Sequence, residues 1–141
     1  MRATATVTRE IAFPVEKVWT ALADFGNAGW IKSVQRVEAI GSGVGMRRRM
    51  HVEGIPPFEE VLESLDSKNR LIGYGIPHGI PLPADDYHAT IRLEELPGSR
   101  TRIIWSGGGI PKGVPPEAVE QGLQGSYSGL IDWLEAHLAT L

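Results

Sequence analysis

A chain of 141 residues with 42% hydrophobic and 22% charged residues fits one globular domain and argues against long disordered stretches. Its formal net charge of −3 provides no basic surface to neutralise phosphates, so we expect no nucleic-acid partner. The chain has no cysteine, which excludes disulfides, thiolate metal sites and thiol nucleophiles.

The N-terminal part of the chain predicts a strand followed by two short helices. Residues 4–12 are rich in Thr and Val, which favours a strand. From residue 14 to residue 23 apolar side chains recur at helical spacing, and Pro14 suits the first turn of a helix. Two glycines interrupt residues 24–30, which we interpret as a break followed by a second short helix.

Six more strand-like runs follow, each bounded by turn-forming Gly, Pro, Asn or Ser. They cover residues 34–40, 45–53, 58–65, 71–76, 86–96 and 101–106. Short connections between successive strands predict an antiparallel meander. Together with the first strand they make a seven-stranded sheet, which has an apolar face to cover.

The C-terminal part predicts a long amphipathic helix that covers this face. Apolar residues recur there at helical spacing: Val119, Leu123, Tyr127, Leu130, Leu134, Leu138 and Leu141. A Gly- and Pro-rich stretch, residues 107–116, precedes it. The order of elements therefore predicts one α+β domain over residues 1–141, with the long helix packed against the sheet.

The hairpin formed by the second and third of the six runs predicts a charged pair on an apolar face. A four-residue turn at residues 54–57 would place Arg48 opposite Glu63 and Met50 opposite Val61. If this face is concave, Arg48 and Glu63 enter a cavity and orient a polar group of a ligand. The alternative is a partly wet salt bridge near the sheet edge that contributes little.

Strand alternation and helix periodicity add further candidate ligand contacts. A buried phenol needs a hydrogen-bond partner, which either a ligand or the protein supplies. Together with the hairpin, these patterns predict ten ligand-binding residues: Arg48, Met50, Val61, Glu63, Tyr74, Tyr87, Ala89, Trp105, Leu123 and Tyr127. The last helix also contains Gly122 and Gly125, which are explained either by room for a ligand or by close packing on the sheet.

Motifs for catalysis, metals and cofactors are missing. The four histidines, at positions 51, 78, 88 and 137, lack metal-ligand spacing. There is no nucleophile elbow and no phosphate-binding glycine-rich loop, so we expect no catalytic residues, metal or cofactor. The N-terminus does not resemble a signal peptide and no apolar run reaches about 18 residues, which predicts a cytoplasmic protein without a membrane span.

Several residues, in order, resemble the polyketide cyclase/dehydrase-like branch of the START-like (SRPBCC) superfamily, over nearly the whole chain. The segments that carry the resemblance are Phe13-Pro14-Val15-Glu16-Lys17-Val18-Trp19, Asp24-Phe25, Trp30, Gly43-Val44-Gly45-Met46-Arg47-Arg48, Glu60-Val61-Leu62-Glu63 with Asp66, Tyr74, Asp86-Tyr87 and Thr101-Arg102-Ile103-Ile104-Trp105. The resemblance implies a helix-grip fold, in which a seven-stranded antiparallel sheet curves around the C-terminal helix and two short helices close one end of a pocket. It implies no reaction, because the superfamily includes lipid carriers, hormone receptors and polyketide cyclases.

We therefore expect a protein that binds or transports a small, largely hydrophobic, lipid- or polyketide-like ligand, with Arg48, Glu63 and Tyr87 as polar anchors. The alternative is a cyclase/aromatase-type enzyme that uses the same cavity, with Arg48, Tyr74, Tyr87 or His88 moving protons. His88 faces away from the cavity if Tyr87 faces inward, which weakens that alternative. A third hypothesis is a module whose groove receives a peptide or helix of another protein. The sequence predicts no oligomeric state.

Overall fold

Seven strands form one antiparallel sheet in the computed structural model, which describes all of residues 1–141. The strands are β1 (Ala3–Ile11), β2 (Val34–Ile40), β3 (Arg47–Val52), β4 (Phe58–Asp66), β5 (Leu71–Ile76), β6 (Ala84–Leu96) and β7 (Arg100–Pro111). Their order in the sheet is β1-β7-β6-β5-β4-β3-β2, so strands β2 to β7 form a continuous meander and β1 pairs with the last of them. The predicted seven-stranded meander is confirmed.

Two helices accompany the sheet, α1 (Val15–Ala23) and α2 (Pro116–Leu138). The second short helix expected at residues 24–30 is absent, and turns occupy that stretch. Its backbone amides reach carbonyls three residues back, as from Asn27 to Asp24 and from Ile31 to Ala28, rather than continuing a helical ladder. Glycine disfavours a helix interior, and buried side chains such as Ala28 and Ile31 fix these turns against the core instead.

Helix α2 covers the concave face of the sheet with one apolar stripe. Its buried residues are Val119, Leu123, Tyr127, Ile131, Leu134 and Leu138. The stripe passes through Ile131 rather than Leu130, which is only partly buried, and Leu141 lies beyond the helix with 68% of its surface exposed. The inner face of the sheet meets this stripe with Ile72, Tyr74, Ile91, Ile103 and Trp105, all at most 3% exposed.

The register of the β3–β4 hairpin differs from the prediction by three residues. Arg48 pairs with Glu60, and Met50 pairs with Phe58. The chain uses residues 51–57 to connect the last paired positions, a longer connection than the expected four-residue turn. Because an odd shift exchanges the two faces of a strand, Glu60 lies on the concave face, whereas Val61 and Glu63 lie on the outer face.

Part of the stretch predicted as a Gly- and Pro-rich connection belongs to the sheet. Strand β7 continues to Pro111, which pairs with Ala84 at the start of β6. Gly107 lies in this extension, and a methyl group there would collide with the hydroxyl of Tyr127 on α2. The missing side chain thus lets α2 approach β7 closely.

Candidate ligand-binding cavity

A cavity of about 440 Å³ lies between the concave face of the sheet and the middle of α2. Its wall is made by 21 residues, 14 of them hydrophobic. The wall residues are Ile31, Ser33, Val34, Arg48, Met50, Val52, Phe58, Glu60, Tyr74, Ile76, Pro81, Leu82, Tyr87, Trp105, Leu123, Gly125, Ser126, Tyr127, Gly129, Leu130 and Trp133. An apolar wall with a few polar groups is typical of small-molecule sites.

Most of the residues predicted to contact a ligand lie in this wall. They are Arg48, Met50, Tyr74, Tyr87, Trp105, Leu123 and Tyr127. Ala89 is buried on the same face but does not reach the cavity, because it pairs with Gly107 beneath the helix. Alternation along a strand predicts the face of a residue but not its position between core and cavity.

Val61 and Glu63 are separated from the cavity by the sheet. They line a groove on its outer face, together with Arg47 and His88. There the Glu63 carboxylate lies 2.9 Å from His88 Nδ1. The predicted pair of Arg48 with Glu63 is therefore wrong, and the reason is the longer β3–β4 connection, which changes the register.

Arg48 instead forms a buried ion pair with Glu60. Its Nε donates to Glu60 Oε1 at 2.7 Å, and the two side chains are 7% and 12% exposed. Its Nη1 donates to the Phe25 carbonyl at 3.0 Å, and the guanidinium carbon lies 3.8 Å from the centre of the Phe25 ring. The backbone carbonyl and the aromatic face add to the ion pair, so Arg48 is held by three neighbouring groups.

One polar atom of each partner is left over from this arrangement. Arg48 Nη2 and Glu60 Oε2 make no hydrogen bond within the protein. No fully buried polar side-chain atom in the structure lacks a partner, so both atoms retain accessible surface. Because Arg48 and Glu60 are in the cavity wall, the cavity offers a donor and an acceptor beside each other.

All three tyrosines of the chain surround the cavity. The hydroxyls of Tyr87 and Tyr127 lie 2.6 Å apart, and Trp105 Nε1 donates to the Tyr74 hydroxyl at 3.1 Å. Three phenols carry three O–H donors, and one is used between Tyr87 and Tyr127. Even if Tyr74 donates to Tyr87, at least one of the three O–H donors is not used between the phenols.

Burial keeps these phenols neutral. It raises the pKa of Tyr127 to about 12. Burial also raises the pKa of Tyr74 and of Tyr87, and neighbouring phenols or the Glu60 carboxylate raise them further. Near neutral pH the tyrosines therefore act as hydrogen-bonding groups rather than as bases.

Helical glycines open the cavity on the side of α2. A methyl group added at Gly122, Gly125 or Gly129 would meet no atom within 4 Å, so close packing on the sheet does not explain them. Gly125 and Gly129 lie in the cavity wall. Room beside α2 is the explanation that the structure favours for these two positions.

Sequence reasoning missed Glu60 and Trp133 as cavity residues. Each face of β4 carries one of the acids Glu60 and Glu63 among apolar residues, so alternation does not choose between them. Trp133 lies six residues after Tyr127, and this spacing places it beside the buried stripe rather than within it. In the structure Trp133 is partly buried against the core, which its spacing in the sequence does not indicate.

The fold has neither a metal-binding cluster nor a helix that could span a membrane. No cluster of three or more His, Asp or Glu residues is arranged to hold a metal ion. Neither helix has the length and hydrophobicity needed to cross a bilayer.

Comparison with known proteins identifies both a sequence family and a fold. Residues 2–139 match the family described as "Polyketide cyclase / dehydrase and lipid transport". No curated protein matches the sequence. Among solved structures, an uncharacterised protein from Bacillus thuringiensis is 24% identical, with a TM-score of 0.86 over 97% of this chain and 99% of its own.

Two other solved structures share the architecture. Ara h 8.0201 is 18% identical, with a TM-score of 0.80 over 100% of both chains. Norcoclaurine synthase from Thalictrum flavum, in complex with dopamine and hydroxybenzaldehyde, is 20% identical, with a TM-score of 0.79 over 99% of this chain and 88% of its own. At these identities the likeness shows the shared fold alone.

Proposed function

Since the chain belongs to the polyketide cyclase / dehydrase and lipid transport family, we propose that it binds or carries a small, largely hydrophobic, lipid- or polyketide-like molecule in the cavity beside α2. The observation that carries this proposal is the cavity itself, about 440 Å³ with a wall that is two-thirds hydrophobic. Small-molecule sites usually span roughly 300–1,000 Å³, so one ligand of modest size fits. We further propose that residues 1–141 form one domain and that the protein acts in the cytoplasm.

The contacts assigned to the ligand combine apolar walls with a few polar anchors. We assign the contacts to Arg48, Met50, Tyr74, Tyr87, Trp105, Leu123 and Tyr127, with Glu60 added. The stacked rings of Trp105 and Tyr127, with centroids 5.8 Å apart, offer a rigid aromatic surface. Arg48, Glu60 and the phenols supply orientation, because the rest of the wall has little hydrogen-bonding capacity.

A cyclase/aromatase-type enzyme is the second candidate function, and the accessible carboxylate oxygen of Glu60 is the observation that favours it. A carboxylate inside an apolar cavity is a suitable proton acceptor for carbonyl chemistry. Against this candidate, His88 lies outside the cavity and burial raises the pKa of all three tyrosines. Binding without turnover therefore fits the geometry better.

Two measurements test the proposed function. Native mass spectrometry of the protein purified from its own host, followed by organic extraction, reports any molecule that it carries. Titration with prodan, a neutral fluorescent probe of apolar sites, reports the cavity in the stripped protein. A bound apolar molecule at one per chain, or saturable prodan binding at that stoichiometry, supports the proposal.

The opposite results separate the candidates. If neither a native ligand nor prodan binds, the proposed function is wrong. If the extracted molecule is converted to a product when it is returned to the protein, and Glu60→Gln abolishes the conversion, the enzyme is the better description.

A further inference from the structure

The charges that face the cavity cancel each other. Among the wall residues only Arg48 and Glu60 are charged near neutral pH, and they are paired at 2.7 Å. We propose that the cavity selects an electrically neutral ligand whose polar end both accepts and donates a hydrogen bond, in preference to a carboxylate or an amine on the same apolar body. This inference rests on the proposed binding function and specifies the class of ligand.

A charged ligand would find no unpaired charge of opposite sign in this cavity. A ligand carboxylate that approached Arg48 Nη2 would also approach Glu60, and the two carboxylates would repel each other in an apolar surrounding. An ammonium that approached Glu60 would be repelled by the Arg48 guanidinium for the same reason. Either ion would lose its hydration and gain only a partner that is already paired with an opposite charge.

Arg48 is not free to turn toward a ligand carboxylate. Its Nη1 donates to the Phe25 carbonyl, and its guanidinium carbon lies 3.8 Å from the centre of the Phe25 ring. If the Arg48 side chain moved from Glu60 toward a ligand, it would lose these contacts and leave the buried Glu60 carboxylate without a partner. The guanidinium therefore presents Nη2 as a fixed donor beside the fixed acceptor Glu60 Oε2.

A neutral amide or a similar group matches this pair. Its carbonyl oxygen accepts from Arg48 Nη2, and its N–H donates to Glu60 Oε2, so both leftover atoms gain partners without adding charge. A flat aromatic body attached to that group would lie along the wall formed by Trp105 and Tyr127. The remaining phenol O–H serves a second acceptor on the ligand.

A matched series of three ligands tests the selection. Cinnamamide, cinnamate and cinnamylamine share one aromatic body and differ in the charge of the head group. Isothermal titration near pH 7 should give an affinity for cinnamamide about tenfold or more above that for either ion. Glu60→Gln leaves the charge of Arg48 unbalanced and should raise the ratio of cinnamate to cinnamamide affinity about tenfold.

Glu63→Gln is the control, because it removes the same charge from the outer face of the same strand and should leave the ratio unchanged. Circular dichroism checks that each variant is folded, and the wild-type ranking decides the matter if Glu60→Gln does not fold. If prodan binds but cinnamamide binds no better than the two ions, the inference is overturned while the binding function stands. If neither prodan nor any of the three ligands binds, both fail.

Discussion

The hydroxyls of Tyr87 and Tyr127 lie 2.6 Å apart, and their hydrogen bond joins β6 to α2 at the wall of the cavity. Tyr87 lies within an irregularity in the pairing of β6 with β7, between Asp85 and His88, where Asp86 has a φ of +54°. On its other side β6 pairs in regular register with β5, as Tyr87 with Ile76 and Ala89 with Tyr74, so alternation places the Tyr87 ring on the concave face. The bond thus connects the irregular segment of the sheet with the middle of the helix.

Removing one of the two hydroxyls should destabilise the fold modestly. We expect Tyr87→Phe and Tyr127→Phe each to lower the free energy of unfolding by about 1 kcal/mol, because each leaves the other hydroxyl without this partner. The double variant should lose less than the sum, since no unpaired hydroxyl then remains. Urea denaturation of the four proteins measures the cycle. Strictly additive losses would show that the bond does not stabilise the fold.

Ionisation of the tyrosines should require unfolding or strongly alkaline solution. Since the folded-state pKa of every tyrosine is raised above its usual value of about 10, the folded protein keeps protons that the unfolded chain has released. Stability from this source is therefore complete below pH 10 and falls as the pH rises above it. Tyrosinate absorbance and circular dichroism, recorded together, should change together. Tyrosinate absorbance near pH 10 in a protein with native circular dichroism would contradict the burial of the phenols.

The sequence predicted the sheet, the long helix and seven of the 21 residues of the cavity wall, because each follows from local periodicity. The superfamily resemblance is confirmed by the family match and the fold. Alternation placed Tyr74 and Tyr87 on the concave face and His88 outside, as observed. Periodicity of α2 likewise placed Leu123 and Tyr127 against the sheet.

Local periodicity could not predict the ion pair of Arg48 with Glu60, because the pair depends on the length of the connection between β3 and β4. Residues 51–57 contain Gly and Pro and are compatible with several loop lengths, yet each change of one residue reverses the face of β4. Local pattern could not choose between Glu60 and Glu63, since both have apolar neighbours two residues away. The contact of Arg48 with Phe25 joins positions 23 residues apart and leaves no periodic signal.

The buried pair of Arg48 and Glu60 should be far more sensitive to substitution than an exposed pair on the same strands. Arg48→Met or Glu60→Met alone should reduce the free energy of unfolding by about 3–5 kcal/mol, because each leaves one buried charge unpaired. The double variant should recover much of the loss. Thermal or urea denaturation measures all three.

An exposed neighbour provides the control for this prediction. Arg47 lies 3.0 Å from Glu59, and its side chain is 51% exposed, so Arg47→Met should cost under about 1 kcal/mol. Equal losses for Arg47→Met and Arg48→Met would contradict the different environments of the two arginines.

His88 should give the fold a pH-dependent contribution from the outer face. The hydrogen bond with Glu63, followed by that with Asp86, raises the pKa of His88, and Arg2 is the cation paired with Asp86 on the same side. Because the folded-state pKa is raised, this contribution is complete below the unfolded value of about 6.5 and is lost as the pH rises through the folded value. The stability difference between wild type and His88→Gln should therefore be largest in mild acid and shrink toward alkaline pH.

Proton NMR titration of His88 in two variants shows which carboxylate raises its pKa. Glu63→Gln removes the carboxylate that contributes most to the raised pKa of His88, so the variant should lower this pKa. Glu59 is paired with Arg47 and Arg49 instead, so Glu59→Gln should leave the pKa of His88 unchanged. If the stability difference between wild type and His88→Gln grew as the pH rose, the hydrogen bonds of His88 would not raise its pKa.

Gly129 and Gly122 separate the two roles of a glycine in α2. Neither has an atom within 4 Å of an added methyl group, but only Gly129 lies in the cavity wall. Replacing either glycine with leucine improves helix propensity by about 1 kcal/mol, so both variants should remain folded and gain stability. Gly129→Leu should also fill part of the cavity and weaken prodan binding about tenfold or more, while Gly122→Leu should leave the affinity unchanged. Fluorescence titration of the two variants decides this, because equal affinities would show that the space beside Gly129 is not where the ligand binds.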